Sequence, residues 1–218
     1  MPKIEHNPGT DPILMERASV IVDIARGFYQ RGWVLGTSGN FSAVLSRQPL
    51  RLAITSSGID KGLIDATNIL EVDGAGLVVS GTARASAETL LHIEIARRRG
   101  AGAVLHTHSI WSNILSEAFG PQGGFEISGY EMLKGLEGIQ SHDESEWLPI
   151  LENAQDMAEL SGVVGETLDR FRGCHGFLLR RHGLYTWGRD LAEAKRHVEI
   201  FEFLLEVIGR THDLNHVA

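Results

Sequence analysis

The sequence predicts a single α/β domain with a mixed or antiparallel central sheet packed by helices. Segments with helical periodicity alternate along the chain with short apolar runs that are typical of strands. The 218 residues include 43% hydrophobic and 22% charged side chains, as in soluble globular proteins. No linker or internal repeat divides the sequence. We therefore expect one domain over residues 1–218, with about ten N-terminal and about eight C-terminal residues flexible.

The chain begins with a helix and continues with strands. Asp11 followed by Pro12 is a typical helix start, and apolar residues at helical spacing extend this helix to about residue 31. A glycine-rich turn and an extended segment follow in GWVLGTSGNFSAVL. Two strands are then predicted in LRLAIT and NILEVD, and a second glycine-rich turn separates them.

The middle of the chain contains a helix, a buried strand and a region of loops. Ser86 is expected to cap a helix that runs to about Arg99. AVLHTH has the composition of a buried strand, and Ser109 is placed to cap the helix that follows. Residues 120–145 are rich in glycine and lack periodicity, so we expect loops around short elements there.

The last third of the chain returns to regular structure. A helix is predicted over about residues 152–171, and GFLLRRHGLYTWG has a strand-turn-strand pattern. Asp190 with Glu193 forms a capping box. The final helix is therefore expected to start there and to run to about Ile208.

Composition excludes several classes of function. The formal net charge is −8 and no long basic run occurs, so nucleic acid is not an expected partner. No apolar run approaches the roughly 20 residues that span a bilayer. The N-terminus also lacks the apolar core of a signal peptide, so we expect a cytoplasmic protein. Cys174 is the single cysteine, so a bound metal would need imidazole and carboxylate ligands.

Two histidines follow an apolar run in AVLHTHS. His106 and His108 are expected on one face of a strand, with Cβ atoms about 7 Å apart. A catalytic zinc site usually has three protein ligands, and His182, at a glycine turn after a strand, is the best third candidate. An isolated His-x-His pair is common by chance, so the pair alone leaves a buried strand end as the alternative. The other histidines are interpreted as surface or helix residues, namely His6, His92, His142, His175, His197, His212 and His216.

Taken together, the motifs resemble those of one known family. GTSGNFS, TSSGIDKG, SAETLLH, HTHS, GYEMLKGL and RRHGLYTWG occur in the order and spacing of the class II aldolase/adducin superfamily, over about residues 12–210. Within it, EMLKGL and RRHGLYTWG resemble the sugar-phosphate dehydratases of methionine salvage. The resemblance implies a layered α/β/α domain around a largely antiparallel sheet. It also implies a homotetramer with sites near subunit interfaces, and one Zn²⁺ per subunit held by His106, His108 and His182.

The resemblance implies a reaction as well. Its substrate is 5-methylthioribulose 1-phosphate, and its products are 2,3-diketo-5-methylthiopentyl 1-phosphate and water. A proton leaves C3, the C4 hydroxyl departs, and the resulting enol tautomerises to the diketone. Zinc supplies Lewis acidity for this chemistry, and a carboxylate takes the proton and returns it.

Two glutamates compete for the proton transfer. Glu131, in SGYEMLKGL, matches the position that dehydratases of this family use as catalytic acid/base. Glu88, in SAETLLH, matches the catalytic carboxylate of the sugar-phosphate aldolases. We favour Glu131, with Glu88 as a helper, zinc ligand or proton relay. On local sequence alone, Glu131 would be a solvated loop charge and Glu88 a carboxylate stabilised near a helix N-terminus.

The substrate phosphate needs a site of its own. Amide, hydroxyl and backbone N–H donors that match the family's phosphate pocket are found at Asn40, Ser57, Gly58 and Ser86. Lys61 offers a positive charge but is interpreted as a surface lysine. No nucleotide-binding loop of the GxxxxGK[ST] type is present, so ATP and NAD are not expected.

Two alternative functions stay open. One is a class II aldolase or epimerase that acts on another sugar phosphate, which Glu88 favours. The other is a non-catalytic, adducin-like interaction module. The set of three histidines argues against the module, because a binding module has no need of metal ligands.

Overall fold

The computed structural model describes residues 11–215, with side chains described through Thr211. The flexibility expected of the two chain ends falls mostly on residues outside this range. Within it, five α-helices and nine strands form an α/β fold, as the sequence predicts. The helices are α1 (Pro12–Gln30), α2 (Thr89–Arg99), α3 (Ile110–Phe119), α4 (Met157–Arg170) and α5 (Leu191–Asn215).

The nine strands of the described residues form one mixed sheet. In chain order they are β1 (Asn40–Arg47), β2 (Leu50–Thr55), β3 (Ile69–Asp73), β4 (Val78–Ser80), β5 (Ala103–Thr107), β6 (Gly124–Ser128), β7 (Ser145–Leu151), β8 (Gly176–Leu179) and β9 (Gly183–Gly188). Across the sheet their order is β4-β3-β2-β1-β5-β9-β8-β7-β6. Neighbours pair antiparallel except β7 and β8, which are parallel. β5 is therefore the central strand.

Helices pack against both faces of the sheet. Side chains of β5 alternate between two apolar clusters, as the period of a strand requires. Ala103 and Leu105 pack with α1 and α5, whereas Val104 packs with α2 and α4. A third cluster joins α3 and the rest of α5 to β6, β7 and β8. Since β5 is covered on both faces, polar side chains can leave the core only at its ends.

Several predicted helix boundaries are confirmed. The Asp11 side chain accepts a hydrogen bond from the N–H of Ile13 at 2.9 Å and caps α1. Ser109 caps α3 by accepting from the N–H of Ser112 at 3.1 Å. Gly100, with a φ of 59°, ends α2 in the left-handed conformation that glycine adopts easily.

Three helix boundaries differ from the prediction. Ser86 does not cap α2, because the helix begins at Thr89 and the Ser86 hydroxyl accepts the N–H of Glu88 instead. The helix predicted from residue 152 begins at Met157, because the Asp156 side chain caps it there by accepting from the N–H groups of Ala158 and Glu159. The last helix continues past Ile208 to Asn215.

Gly209 lies within α5, where the helix packs closely against α3. A Cβ at this position would lie 2.3 Å from the ring of Trp111 in α3. Gly209 is therefore a close-packing residue within α5, and it does not terminate the helix. No helix in the described part of the chain is both long and apolar enough to cross a membrane.

Candidate active site

The end of the central strand carries the predicted histidine pair. His106 lies in β5, and His108 follows the strand and is held by its N–H, which donates to the carbonyl of Trp33 at 2.8 Å. His182 lies in the three-residue connection between β8 and β9. Because β9 pairs antiparallel with β5, it brings His182 beside His106, which is 76 residues earlier in the chain.

The three rings point their Nε2 atoms at one another. The Nε2 of His106 lies 2.7 Å from that of His108 and 3.3 Å from that of His182. Glu88, the residue before α2, places Oε1 3.1 Å from the Nε2 of His182 and 3.7 Å from that of His106. All four donor atoms lie within 4.8 Å of one another. Among the described residues, these four side chains form the group that could hold a metal ion.

The donor set fits a zinc-like ion. Two ligands bound at 2.0–2.1 Å in a tetrahedral site are about 3.4 Å apart, a spacing similar to the separations observed here. The Nδ1 of His106 lies 2.9 Å from the carbonyl oxygen of Leu184 and donates to it, which leaves a lone pair on Nε2. Three imidazoles and a carboxylate are ligands that zinc and other borderline divalent ions accept.

Burial keeps the imidazoles of His106 and His108 in the neutral form that binds metal. Burial, together with the charge of His108, holds the pKa of His106 well below its usual range. Burial and then the charge of His182 lower the pKa of His108 to about 4. Burial opposes ionisation of Glu88, but its hydrogen bond to His182 and the nearby histidine charges hold the pKa of this carboxyl far below its usual range. The cluster therefore combines the neutral rings of His106 and His108 with the ionised carboxylate of Glu88.

Two glycines allow the backbone to approach the cluster. A Cβ at Gly183, directly after His182, would lie 2.0 Å from the carbonyl oxygen of Thr107 and 3.0 Å from the His106 ring. Gly39 has a φ of +73°, and a Cβ there would lie 2.7 Å from the carbonyl oxygen of His106. Larger residues at either position would displace a loop from β5.

A small polar cavity of about 170 Å³ adjoins the cluster. The four predicted phosphate-binding residues line it together with two members of the cluster, as Asn40, Ser57, Gly58, Ser86, Glu88 and His108. Since a water molecule occupies about 30 Å³ of liquid, the polar cavity has room for a small anion such as phosphate. An anion bound there would lie directly beside the converging histidines.

The family follows from comparison with known proteins. The profile of the family described as Class II Aldolase and Adducin N-terminal domain matches residues 19–208, which is most of the chain. The chain belongs to the class II aldolase and adducin family. The resemblance predicted from the motifs is thereby confirmed.

Two relatives of this chain carry the name of the same activity. Proteins named methylthioribulose-1-phosphate dehydratase from Stenotrophomonas maltophilia and Marinobacter nauticus are 45% and 41% identical to this chain. The alignments cover 88% and 87% of this chain and 89% and 90% of the relatives.

Two solved structures of L-fuculose 1-phosphate aldolases share the fold. An L-fuculose 1-phosphate aldolase superposes with a TM-score of 0.75 at 21% identity, covering 91% of this chain and 87% of the other. The L-fuculose-1-phosphate aldolase of Thermus thermophilus gives a TM-score of 0.72 at 24% identity, with 94% and 99% covered. At these identities the similarity shows the fold alone.

Lys61 is buried, so its interpretation as a surface lysine is wrong. Its side chain is only 1% exposed and lines the polar cavity. Its Nζ donates to the carbonyl oxygens of Ile59 at 2.9 Å and Thr37 at 3.4 Å. Burial lowers the pKa of Lys61 to about 8, although Asp60 and Glu88 oppose the shift. The amine therefore stays mostly charged at neutral pH and adds a cation to the cavity.

Three other histidines are more buried or better bonded than the sequence suggests. His92 lies on α2 but is fully buried between Asn40 and Ser42 of β1. His197 of α5 is 2% exposed, and His175 is bonded to Glu146. A signal for His92 was its position four residues after Glu88, which puts both side chains on one face of α2.

Glu131 lies away from the histidine cluster of its own chain. It follows β6 in a short 3-10 turn (Glu131–Gly135), is 70% exposed and pairs with Lys134. β6 is the edge strand, four positions from β5, or roughly 19 Å at 4.8 Å per strand. The pairing of Gly124 with Pro149 and of Ser128 with Ser145 also places the end of β6 toward the edge of the sheet opposite the histidines.

Proposed function

We propose that the chain is a zinc-dependent dehydratase that converts 5-methylthioribulose 1-phosphate to 2,3-diketo-5-methylthiopentyl 1-phosphate and water in methionine salvage. The main support is the convergence of three imidazoles and a carboxylate beside a polar cavity that contains a buried lysine. Relatives at 41–45% identity carry the name of this activity. A non-catalytic interaction module would not require such a donor set.

In this proposal His106, His108 and His182 hold the metal, with Glu88 as a fourth ligand or hydrogen-bond partner. Bound zinc supplies Lewis acidity that stabilises negative charge developing on a ketone oxygen. The hydrogen bond from the Nδ1 of His106 to the carbonyl oxygen of Leu184 fixes the direction of that ring before the metal binds. Little reorganisation is then needed when the substrate arrives.

The polar cavity is proposed to bind the 1-phosphate. Asn40, Ser57, Gly58 and Ser86 offer neutral donors, and Lys61 offers a positive charge. Glu88 and His108 belong to both the cavity and the metal cluster. A phosphate held in the cavity therefore places the neighbouring carbon atoms of the substrate, C2 and C3, near the cluster.

Glu131 is proposed to act in the site of a neighbouring subunit. Its position beyond the edge strand keeps it from the histidines of its own chain, and its exposure leaves it free to approach another copy. In that site it would take the C3 proton and return it during tautomerisation. We accordingly propose a cytoplasmic homotetramer of single layered α/β/α domains, in which the sheet is largely antiparallel and Glu88 assists from within the same chain.

An aldolase or epimerase acting on another sugar phosphate is the second candidate. The observation that favours it is the position of Glu88, whose Oε1 lies 3.1 Å from the Nε2 of His182 within the same chain. In that reaction Glu88 would be the proton-transferring carboxylate. An aldolase would break a carbon–carbon bond, and an epimerase would invert the configuration at one carbon atom.

One assay separates the candidates. Purified, zinc-loaded protein is incubated with 5-methylthioribulose 1-phosphate, and the products are followed by absorbance and mass spectrometry. The dehydratase is expected to produce a diketone 18 mass units lighter than the substrate, the mass of one lost water. Carbonyl fragments from carbon-carbon cleavage, or an isomer of unchanged mass, would support the second candidate.

A further inference from the structure

His92 links two side chains of β1 from its position on α2. Its Nδ1 lies 2.8 Å from the Ser42 hydroxyl, and its Nε2 is hydrogen-bonded to the Oδ1 of Asn40. All three side chains are buried, with exposures of 0% for His92 and Ser42 and 4% for Asn40. Asn40 in turn bonds through Nδ2 to the Oε2 of Glu88. A continuous chain of hydrogen bonds therefore runs from Ser42 to the carboxylate beside the metal cluster.

The donors and acceptors in this chain have one consistent assignment. An ionised carboxylate can only accept, so the amide group of Asn40 must present Nδ2 to Glu88. The Oδ1 of Asn40 then faces His92 and accepts from Nε2–H. The Nδ1 of His92 accepts from the Ser42 hydroxyl. Burial lowers the pKa of His92 to about 4, against the opposing charge of Glu88, so the neutral ring carries a single N–H at neutral pH.

We propose that His92 is a positioning residue that fixes the amide of Asn40 and, through it, the carboxylate of Glu88. If the Asn40 amide rotated by 180°, its Oδ1 would face the Oε2 of Glu88, and two acceptors would repel each other. The N–H of His92 opposes this rotation because it needs an oxygen as its partner. The fixed amide leaves Oε1 of Glu88 directed at His106 and His182.

This arrangement has a consequence for the polar cavity. Asn40 lines the cavity as well as bonding to Glu88, and its Nδ2 carries two hydrogens. One hydrogen is used by Glu88, so the second remains a donor for the phosphate of the substrate. His92 thereby supports both the cluster and the cavity. The effect on turnover rests on the proposed function, whereas the effect on metal affinity does not.

The test compares His92→Gln with His92→Met, two side chains of similar length and volume. The amide nitrogen of glutamine can reach the position of the ring Nε2 and donate to Asn40, but methionine offers no donor there. His92→Met is expected to weaken zinc binding by about 10-fold, the lower end of the cost of losing a ligand's hydrogen-bond partner, because His92 acts on Glu88 through Asn40. His92→Gln is expected to keep near-wild-type affinity. Zinc affinity is measured by competition with a chelator, without substrate.

Two further measurements keep the result interpretable. In an Asn40→Ala background, His92→Met should cause no additional loss of zinc affinity, because the group that His92 orients is gone. Nitrogen-15 NMR of the metal-free wild-type protein should show His92 protonated at Nε2. Equal zinc affinities for the glutamine and methionine variants would overturn the proposal. Protonation of His92 at Nδ1 in the wild-type protein would also overturn it, and this measurement does not depend on the folding of either variant. Failure of the wild-type protein to form the diketone would contradict the proposed function alone.

Discussion

Histidines gather at both ends of the central sheet, but their ring nitrogens are used in different ways. At the C-terminal end of β5, the Nε2 atoms of His106, His108 and His182 face one another at 2.7 Å and 3.3 Å. The Nδ1 of His106 is bonded to the carbonyl oxygen of Leu184, and Glu88 approaches the Nε2 of His182. A cation is the partner that would satisfy all three together.

At the opposite end of the strands, the second end, the nitrogens of each histidine ring already have partners. The C-terminal end of β5 is the first end. His175 bonds through Nδ1 to Glu146 at 2.9 Å and through Nε2 to the carbonyl oxygen of Glu137 at 2.7 Å. His197 bonds through Nδ1 to the carbonyl oxygen of Trp187 and through Nε2 to the N–H of Glu137. These rings connect separate segments of the chain through hydrogen bonds and have no free nitrogen for a metal.

The difference shows that donor chemistry identifies the site better than size. A cavity of about 680 Å³ lies at the second end, bordered by His175 and His197, whereas the polar cavity at the first end measures about 170 Å³. The smaller space adjoins converging lone pairs and a buried cation. We therefore propose that the chemistry takes place beside the smaller cavity.

The largest expected effect tests this contrast directly. His106→Ala and His108→Ala should each abolish turnover and zinc binding, because each removes a converging ligand. The matched variant His175→Ala should retain both. Metal content, activity and circular dichroism are measured for all three. A folded His106→Ala or His108→Ala protein with near-wild-type activity and no bound metal would contradict the assignment.

The next effect tests the proposal that Glu131 of one subunit acts at the histidine cluster of another. Glu131→Gln should lower kcat by about 10² to 10⁴-fold, the usual contribution of a positioned acid/base. Glu88→Gln should do less damage to kcat and change metal affinity instead. Glu126→Gln, an exposed glutamate on β6, is the control and should have no effect.

Mixed oligomers test whether Glu131 acts between subunits. Co-expression of Glu131→Gln and His106→Ala subunits should restore part of the activity, because some sites then combine an intact histidine cluster with an intact Glu131. The activity of the mixture is compared with that of each variant alone. Without any restoration of activity in proven mixed oligomers, the assignment of Glu131 to a neighbouring site fails.

The single variants also separate the two candidate reactions. An inactive Glu88→Gln variant beside an active Glu131→Gln variant would favour the aldolase candidate.

A smaller effect on KM is expected from replacing Lys61, the buried cation beside the polar cavity. Lys61→Met should raise KM by roughly 10- to 100-fold, as expected from losing a charge-assisted hydrogen bond of about 1.5–3 kcal/mol. Lys195→Met, on the exposed side of α5, is the control. Inhibition by inorganic phosphate should weaken in parallel with KM. Unchanged phosphate inhibition would show that the phosphate binds elsewhere.

The smallest effect concerns stability at the second end. Burial acts to lower the pKa of His175, but the hydrogen bond and charge of Glu146 raise it above its usual value. A raised folded-state pKa stabilises the protein below the ordinary histidine pKa of about 6.5, and this contribution is lost as pH rises through the raised value. The melting temperature of wild type should therefore exceed that of Glu146→Gln by a few degrees more at pH 6 than at pH 9. A difference that does not change with pH would argue against a charged His175.

Local signals predicted the parts of the molecule that local interactions decide. Asp11 and Ser109 cap their helices as expected, and strand periodicity placed His106 and His108 on one face. The run WLPIL was assigned to no element, because a short apolar run fits either a helix or a strand. Only its pairing with β6 and β8 decides the outcome, and sequence periodicity does not contain that pairing.

The missed site residues depend on contacts between distant segments. A lysine in a glycine-rich turn is normally exposed, and Lys61 is buried because the carbonyl oxygens of Thr37 and Ile59 meet it there. The partners of His92 lie 50 and 52 residues earlier on β1. His182 was found through the family resemblance and its glycine turn, since the distance to His106 is set by the β5–β9 pairing.

That same pairing determines when the site can form during folding. The cluster draws its donors from the start of α2, the end of β5 and the β8–β9 connection, and His182 is 76 residues from His106. No short fragment of the chain contains the full set. Closing so long a loop is entropically unfavourable and slow, so the central strands must pair before the three rings meet. Metal uptake is therefore expected late in folding, and bound zinc would report that the native topology is already in place.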